Sequence, residues 1–234
     1  MEKRHARIER GITKLVVPHE KGEVTFAYPS IGPNNYTEVG KEILKQEMNV
    51  PTGDYMASLI HTAYCNDSVK NEPEYQNIRE IMKNKWLWVF NRNLWTKDGV
   101  YVLQDSKAIG RSQPLSQNDL EKMLKGSKEV NGVRFSKDKN VRFAEKGSYQ
   151  LENHTPESLA KDGFVIASYG IEGAEKLGEV SSKFKVKPYV YGVEKDTSEQ
   201  RVSALYLNSF GDRLNVYGDV FGDYGDCHAF GVWK

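Results

Sequence analysis

The sequence predicts an α+β fold: an N-terminal helical segment near residues 35–84, mixed or antiparallel sheet elsewhere, and one local β-α-β unit. Three observations predict it. Residues 35–84 carry helix-start residues followed by apolar groups three and four apart. The stretches around them are short aromatic and β-branched runs broken by Gly, Asp, Asn and Pro. Residues 164–191 read as strand, amphipathic helix and strand.

In chain order, residues 12–17 and 23–28 read as strands, joined by a hairpin loop from Pro18 to Gly22. Asn35 followed by Glu38 is a helix N-terminal box, and Val39, Ile43 and Leu44 fall on one face of the helix it opens. Thr52 caps a second helix carrying Tyr55, Met56, Leu59, Ile60 and Ala63, and Pro73 opens a third that ends near Asn84. Trp86–Phe90 and Gly99–Leu103 read as a strand pair, with Asn91-Arg92-Asn93 and Lys97-Asp98-Gly99 supplying turn residues. Ser116 caps a short helix that Gly126 stops. Residues 133–135 and 141–143 form a hairpin with its arginines on one face and apolar groups on the other.

Thr155-Pro156-Glu157 starts a short helix. The β-α-β unit follows, with Phe164–Ser168 as a buried-type strand, Ile171–Lys185 as a helix striped by Ala174, Leu177, Val180 and Phe184, and Pro188–Tyr191 as a strand. The last residues read as strands at 202–207, 214–217 and 229–233 separated by Gly-Asp turns.

Length and composition bound the rest. A chain of 234 residues with 13 Tyr, 9 Phe and 4 Trp buries a core without needing a disulfide or metal. One compact domain over residues 1–234 is expected; the polar stretch near 105–115, with Gly110 and Pro114, is where a second lobe would begin. Lys plus Arg (33) nearly cancels Asp plus Glu (32), so no global field draws the chain to nucleic acid or to a membrane. No apolar run reaches spanning length, and no apolar core follows the basic residues at the N-terminus. With two cysteines read as free thiols, these features predict a cytoplasmic protein with no membrane partner.

Asn93-Leu94-Trp95 through Gly99-Val100-Tyr101-Val102, Glu172-Gly173-Ala174-Glu175-Lys176-Leu177 and the closing Ala229-Phe230-Gly231-Val232 resemble a group of uncharacterised archaeal proteins. The resemblance covers the C-terminal two thirds and implies no activity.

Several residue groups carry chemistry. Trp86 and Trp88 share a strand face, and with Trp95 and Tyr101 they offer stacking surface for bases or sugars if exposed, or core if not. Arg134 and Arg142, with Lys137 and Lys139 between them, and Lys3, Arg4, Arg7, Arg10 and Lys14 near the start, are phosphate-contact candidates interleaved with acids. Asp219, Asp223 and Asp226 stand in a Gly-rich loop with the oxygen donors calcium wants, though not at EF-hand spacing. His61 and Cys65 are four apart on a helix and make two of the ligands a zinc site needs, or a thiol with its base; Cys227 and His228 are adjacent, and His154 and Asp226 are further ligand candidates for either pair. Gly170-Ile171-Glu172-Gly173 lacks the spacing of a dinucleotide or phosphate loop. Nucleophile-elbow, H-E-x-x-H, C-x-x-C and kinase signatures do not occur.

The sequence therefore predicts first a non-enzymatic binding protein for nucleic acid or a protein partner. Two other readings stand beside it: a hydrolase-type or metal-dependent enzyme with its site near Cys65/His61 or over Asp219–His228, and a homo-oligomeric assembly protein. No particular cofactor is implied.

Overall fold

The computed structural model describes residues 7–9, 13–195, 198–208 and 210–233; Lys3, Arg4 and Arg10 of the basic positions lie outside them. Strands β1 (Arg7–Glu9), β2 (Lys14–His19) and β3 (Gly22–Ala27) form a small antiparallel sheet. β2 and β3 run into the expected loop and leave Glu20 and Lys21 as the turn, with Glu20 at φ 45°. After β4 (Ile31–Asn34) come three helices: α1 (Tyr36–Lys45), α2 (Gly53–Cys65) and α3 (Pro73–Asn84). The Asn35 side chain caps α1 by accepting from the Glu38 N–H, and Pro73 stands in the first turn of α3, where its missing N–H costs nothing.

The second sheet is mixed. Its strands are β4 together with β5 (Trp86–Thr96), β6 (Gly99–Gln104), β7 (Lys128–Val130), β8 (Val133–Phe135), β9 (Val141–Glu145), β10 (Glu152–Asn153), β11 (Tyr189–Tyr191), β12 (Glu199–Leu207), β13 (Leu214–Val220) and β14 (Cys227–Ala229). They lie in the order β10-β11-β13-β12-β5-β6-β9-β8-β7, with β14 pairing both β4 and β5. The pairs β11–β13 and β14–β5 are parallel and the other pairs antiparallel. Helices α4 (Gln117–Met123), α5 (Pro156–Leu159) and α6 (Gly163–Ser181) complete the fold. In the polar stretch 105–115, the Asp105 carboxylate accepts from the Tyr36 hydroxyl (3.1 Å) and the Gly110 N–H (2.7 Å), while β6 and β9 on either side of it are hydrogen-bonded neighbours.

Three local expectations fail for identifiable reasons. The β-α-β unit does not form, because Phe164–Ser168 is helical. Asp162 caps α6 by accepting from the Val165 N–H, and Phe164, Val165, Ile166 and Ala167 are all buried. A short apolar run surrounded by protein on every side has no periodicity to separate helix from strand. The helix kinks at Gly170 (φ 74°, ψ 169°), a backbone conformation that favours glycine, and a Cβ there would meet the Asp54 carboxylate at 3.1 Å. Next, Asn91-Arg92-Asn93 is not a turn but the middle of β5. Each polar side chain donates inside: Asn91 to the Ser168 carbonyl (2.8 Å), Asn93 to Ser203 Oγ (2.9 Å) and the Gly218 carbonyl (3.0 Å), and Arg92 to the Gln113 carbonyl, while Asn91 Oδ1, Arg92 Nε and Asn93 Oδ1 are buried without a partner. Last, the arginines of the β8–β9 hairpin do not share a face. The register sets Arg134 opposite Phe143 and Arg142 opposite Phe135, so each arginine lies beside a phenylalanine on its own side.

The larger sheet divides the core. Leu87, Val89, Leu205, Leu207, Leu214 and Val216 point one way and pack against α2, α3 and α6, including Met56, Ile60, Ile78, Phe164 and Leu177. Trp88, Phe90, Val202, Ala204 and Val220 point the other way and pack beneath Tyr36, Val39 and Ile43 of α1.

Candidate functional site

The cover that α1 lays over the second face ends part-way along the sheet. Trp86 and Tyr217 are half-buried at its margin. Strand register determines what lies beyond. Ala204 is opposite Trp88 and Leu205 opposite Leu87, so Tyr206 follows opposite Trp86. Ala204 is also opposite Tyr217, and Tyr206 opposite Asn215. On the parallel neighbour, Tyr191 pairs with Tyr217 and Tyr189 with Asn215. Alternation along each strand therefore sends Trp86, Tyr206, Tyr217, Tyr191 and Tyr189 to one face.

The rings form a continuous array. Tyr189 and Tyr191 have centroids 4.3 Å apart, Tyr191 stacks on Tyr217 at 4.3 Å with 2° between planes, and Tyr217 meets Trp86 at 4.4 Å. Trp86 stacks further on Tyr206 and on Tyr224, both at 5.4 Å and 15°. Tyr224 is 52% exposed, and Tyr189, Tyr191 and Tyr206 are half-buried. Burial, followed by the neighbouring Tyr191 and Asp219, raises the Tyr217 phenol, and burial raises that of Tyr189. These hydroxyls stay protonated at neutral pH and can both donate and accept.

Charged groups border the array. The Arg213 guanidinium lies 4.5 Å over Tyr189 and donates to Asn153 Oδ1 at 2.5 Å. Lys85 pairs with Asp226 at 2.5 Å. Burial raises the Asp219 carboxyl, opposed by the nearby Arg201, and Arg201 and Arg111 both lie over the Phe221 ring.

The other candidates are dispersed. Trp88 (0% exposed) donates its indole N–H to the Asn34 carbonyl at 3.1 Å, and Trp95 (1% exposed) donates to the Gly218 carbonyl at 2.8 Å and packs on Phe164. Both are core; of the three candidate tryptophans only Trp86 reaches the surface. Tyr101 is core too, with its ring on Phe143. Arg134 is held by Glu121 (2.8 and 3.2 Å), and Arg142 by a two-pronged ion pair to Asp54 (2.6 and 2.8 Å). That pair floors a cleft of about 780 Å³ whose rim mixes Lys21, Lys137 and Lys139 with Glu20, Glu172 and Glu175. Gly170, Ile171 and Glu172 also line it.

Asp219 faces Arg201, Asp226 faces Lys85, and Asp223 is exposed. The Cys227 thiol is buried and His228 bonds to Ser30 Oγ at 3.1 Å. His154 is buried against the Gln150 carbonyl (2.8 Å), Ser158 Oγ (3.1 Å) and Asp162 (3.8 Å). His61 and Cys65 do share a helix face, and α6 adds a carboxylate that spacing did not reveal: Glu179 lies 2.8 Å from His61. Burial, with Glu179 second, pushes the Cys65 thiol up to about 11.

The five tyrosines of the array went unread in the sequence. A signal existed in Tyr189-Val190-Tyr191, where aromatic residues alternate with a buried valine, but assembling the array needed the pairing of four strands distant in sequence.

No family model and no curated protein matches the chain. A solved structure described by the words "Accommodation of massive sequence variation in Nanoarchaeota by the C-type lectin fold" is similar at 13% identity and a TM-score of 0.49, over 85% of this chain and 94% of that one. So distant a likeness carries no argument about source or activity. No helix among the described residues is long and apolar enough to cross a membrane.

Proposed function

We propose that the chain is a binding protein that seats a protein partner on the aromatic face of β11, β13, β12 and β5. The observation that carries this reading is the unbroken array from Tyr189 to Tyr224 on a sheet face that α1 leaves open. Tyrosine and tryptophan combine large contact area with few rotatable bonds and a polar tip, so they form interfaces at low entropic cost. A rigid sheet adds to this by holding the rings before the partner arrives.

A protein is favoured over nucleic acid by charge. A strand of nucleic acid needs unpaired cations beside the stacking rings. Beside the rings Lys85 is paired with Asp226, and Arg213, stacked over Tyr189 and bonded to the neutral Asn153, is too little positive charge to follow a phosphate backbone; Arg134 and Arg142, away from the array, are committed to Glu121 and Asp54.

The test is a photo-crosslinking amino acid placed at Tyr206, with a second version at Lys122 on the exposed side of α4 as control. The reading expects discrete protein adducts from position 206, lost when Trp86→Ala and Tyr217→Ala are added, and none of the same mass from position 122. Adducts with nucleic acid would replace the protein partner. An adduct of twice the chain's mass would make the partner a second copy. Absence of any adduct specific to position 206 would overturn the proposal.

A further inference from the structure

Helices α2 and α6 pack side by side, and away from the aromatic face they gather three different metal-ligand types. His61 and Cys65 sit one turn apart on the side of α2 turned to α6, which supplies Glu179. His61 Nε2 lies 2.8 Å from Glu179 Oε2, and the imidazole nitrogen, thiol sulfur and carboxylate oxygen all fall within 4.8 Å of one another. Among the described residues, no other three His, Cys, Asp or Glu side chains meet this closely.

We propose that His61, Cys65 and Glu179 form a binding site for a divalent zinc-class ion. The donor set selects the ion. Calcium and magnesium take oxygen ligands, whereas one nitrogen, one sulfur and one oxygen suit a borderline ion. Bonds of about 2.0–2.3 Å around a tetrahedral ion put donor atoms roughly 3.3–3.8 Å apart. The His61–Glu179 contact must open somewhat and the sulfur close in. Both are side-chain adjustments, and Glu179 at 55% exposure has room to make them.

Three protein ligands leave a fourth position. It faces solvent on the Glu179 side, so water fills it, in the manner of open zinc sites. Binding forms an S–metal bond as the thiol gives its proton to solvent, with no change of oxidation state. Of the cations near the thiol, Lys70 is engaged by Asp67 at 2.5 Å, and Lys183 lies one turn beyond Glu179 on solvent-facing chain. The site does not depend on the aromatic-face reading, and either can fail alone.

Cobalt(II) titration of the chelator-treated full chain tests it. The expected result is one equivalent bound, a near-ultraviolet thiolate-to-cobalt charge-transfer band, visible bands of a four-coordinate ion, and displacement by zinc. Cys65→Ser removes the charge-transfer band. His61→Ala and Glu179→Gln each weaken binding by about tenfold or more. Glu179 is exposed, so Glu179→Gln leaves the fold intact as judged by circular dichroism and keeps the test decisive if a helix α2 variant unfolds. The absence of stoichiometric cobalt binding, or a charge-transfer band that persists in Cys65→Ser, would overturn the site and leave His61 and Glu179 as an ordinary hydrogen-bonded pair.

Discussion

Trp86 and Trp88 stand two residues apart on the same face of β5 and have opposite surroundings. Trp88 is sealed beneath α1, its ring 5.5 Å from Tyr36 and its N–H bonded to the Asn34 carbonyl. Trp86 lies where that cover stops and passes its stacking outward to Tyr206, Tyr217 and Tyr224. Identical side chains on one strand face thus serve packing in one half and an open surface in the other. The difference comes from the reach of α1, a helix of ten residues, and not from the strand's own pattern.

The sharpest way to break this comparison is to truncate both. Trp88→Ala removes a fully enclosed ring and is expected to cost about 3–5 kcal/mol of stability. Trp86→Ala removes a half-exposed ring and its stacking, about 1 kcal/mol. Urea unfolding measures both, and similar losses for the two would erase the distinction between covered and open halves.

A second contrast concerns the two hairpin arginines. Arg142 is 3% exposed and pairs with an Asp54 side chain at 18%, so Arg142→Ala strands a mostly buried carboxylate and is expected to cost about 3 kcal/mol. Arg134 pairs with Glu121 nearer solvent (32% and 41% exposed), and Arg134→Ala is expected to cost less than about 1 kcal/mol. The same unfolding series would show equal losses if the cleft floor were solvated.

The thiols should differ from unfolded ones in rate. Burial pushes Cys65 up to about 11 and Cys227 up to about 12, so little thiolate exists at neutral pH. Iodoacetamide followed by mass spectrometry should modify the half-exposed Cys65 slowly, the buried Cys227 more slowly still, and both quickly in denaturant. Fast modification of Cys227 in the folded chain would contradict its place beside β4.

The smallest expected effect is in pH dependence. Burial, then the charge of Lys176, lowers the His19 pKa below its ordinary 6.5, while His19 bonds Ser58 Oγ at 2.9 Å. Below pH 6.5 the unfolded chain takes up a proton that folded His19 resists, so stability falls as pH drops through that range and is level with respect to this group above it. His19→Gln should flatten the fall relative to wild type in paired melting curves; an unchanged slope would remove His19 from the acid sensitivity.

What was legible in the sequence was mostly local. Asn35 with Glu38, Pro73, Ser116 and Thr155 mark helix starts through side-chain and backbone chemistry confined to four residues. The strand pair around Gly99 is local too. Failure began where burial replaced pattern. Phe164–Ser168 is enclosed on all sides, and Asn91, Arg92 and Asn93 donate to carbonyls and a hydroxyl from distant segments, so neither stretch shows the alternation or turn logic it would need at a surface. For the sites, His61 and Cys65 were visible as a helix-face pair, but Glu179 is 114 positions beyond Cys65 (179 minus 65) and enters only through α2–α6 packing. Trp86 was visible as an aromatic on a strand; placing Tyr189, Tyr191, Tyr206 and Tyr217 beside it required the register of four strands, and Tyr224 joins from the loop before β14.

On the proposed reading, the open half of the sheet face, and not the covered half, holds a partner. The most direct measurement is the affinity of the protein crosslinked through position 206 for the wild-type chain and for folded Trp86→Ala. The expected result is a loss of about tenfold or more, on the order of 1.4 kcal/mol, with the melting temperature lowered by only about 2–4 °C. Equal affinity in a folded Trp86→Ala chain would contradict it.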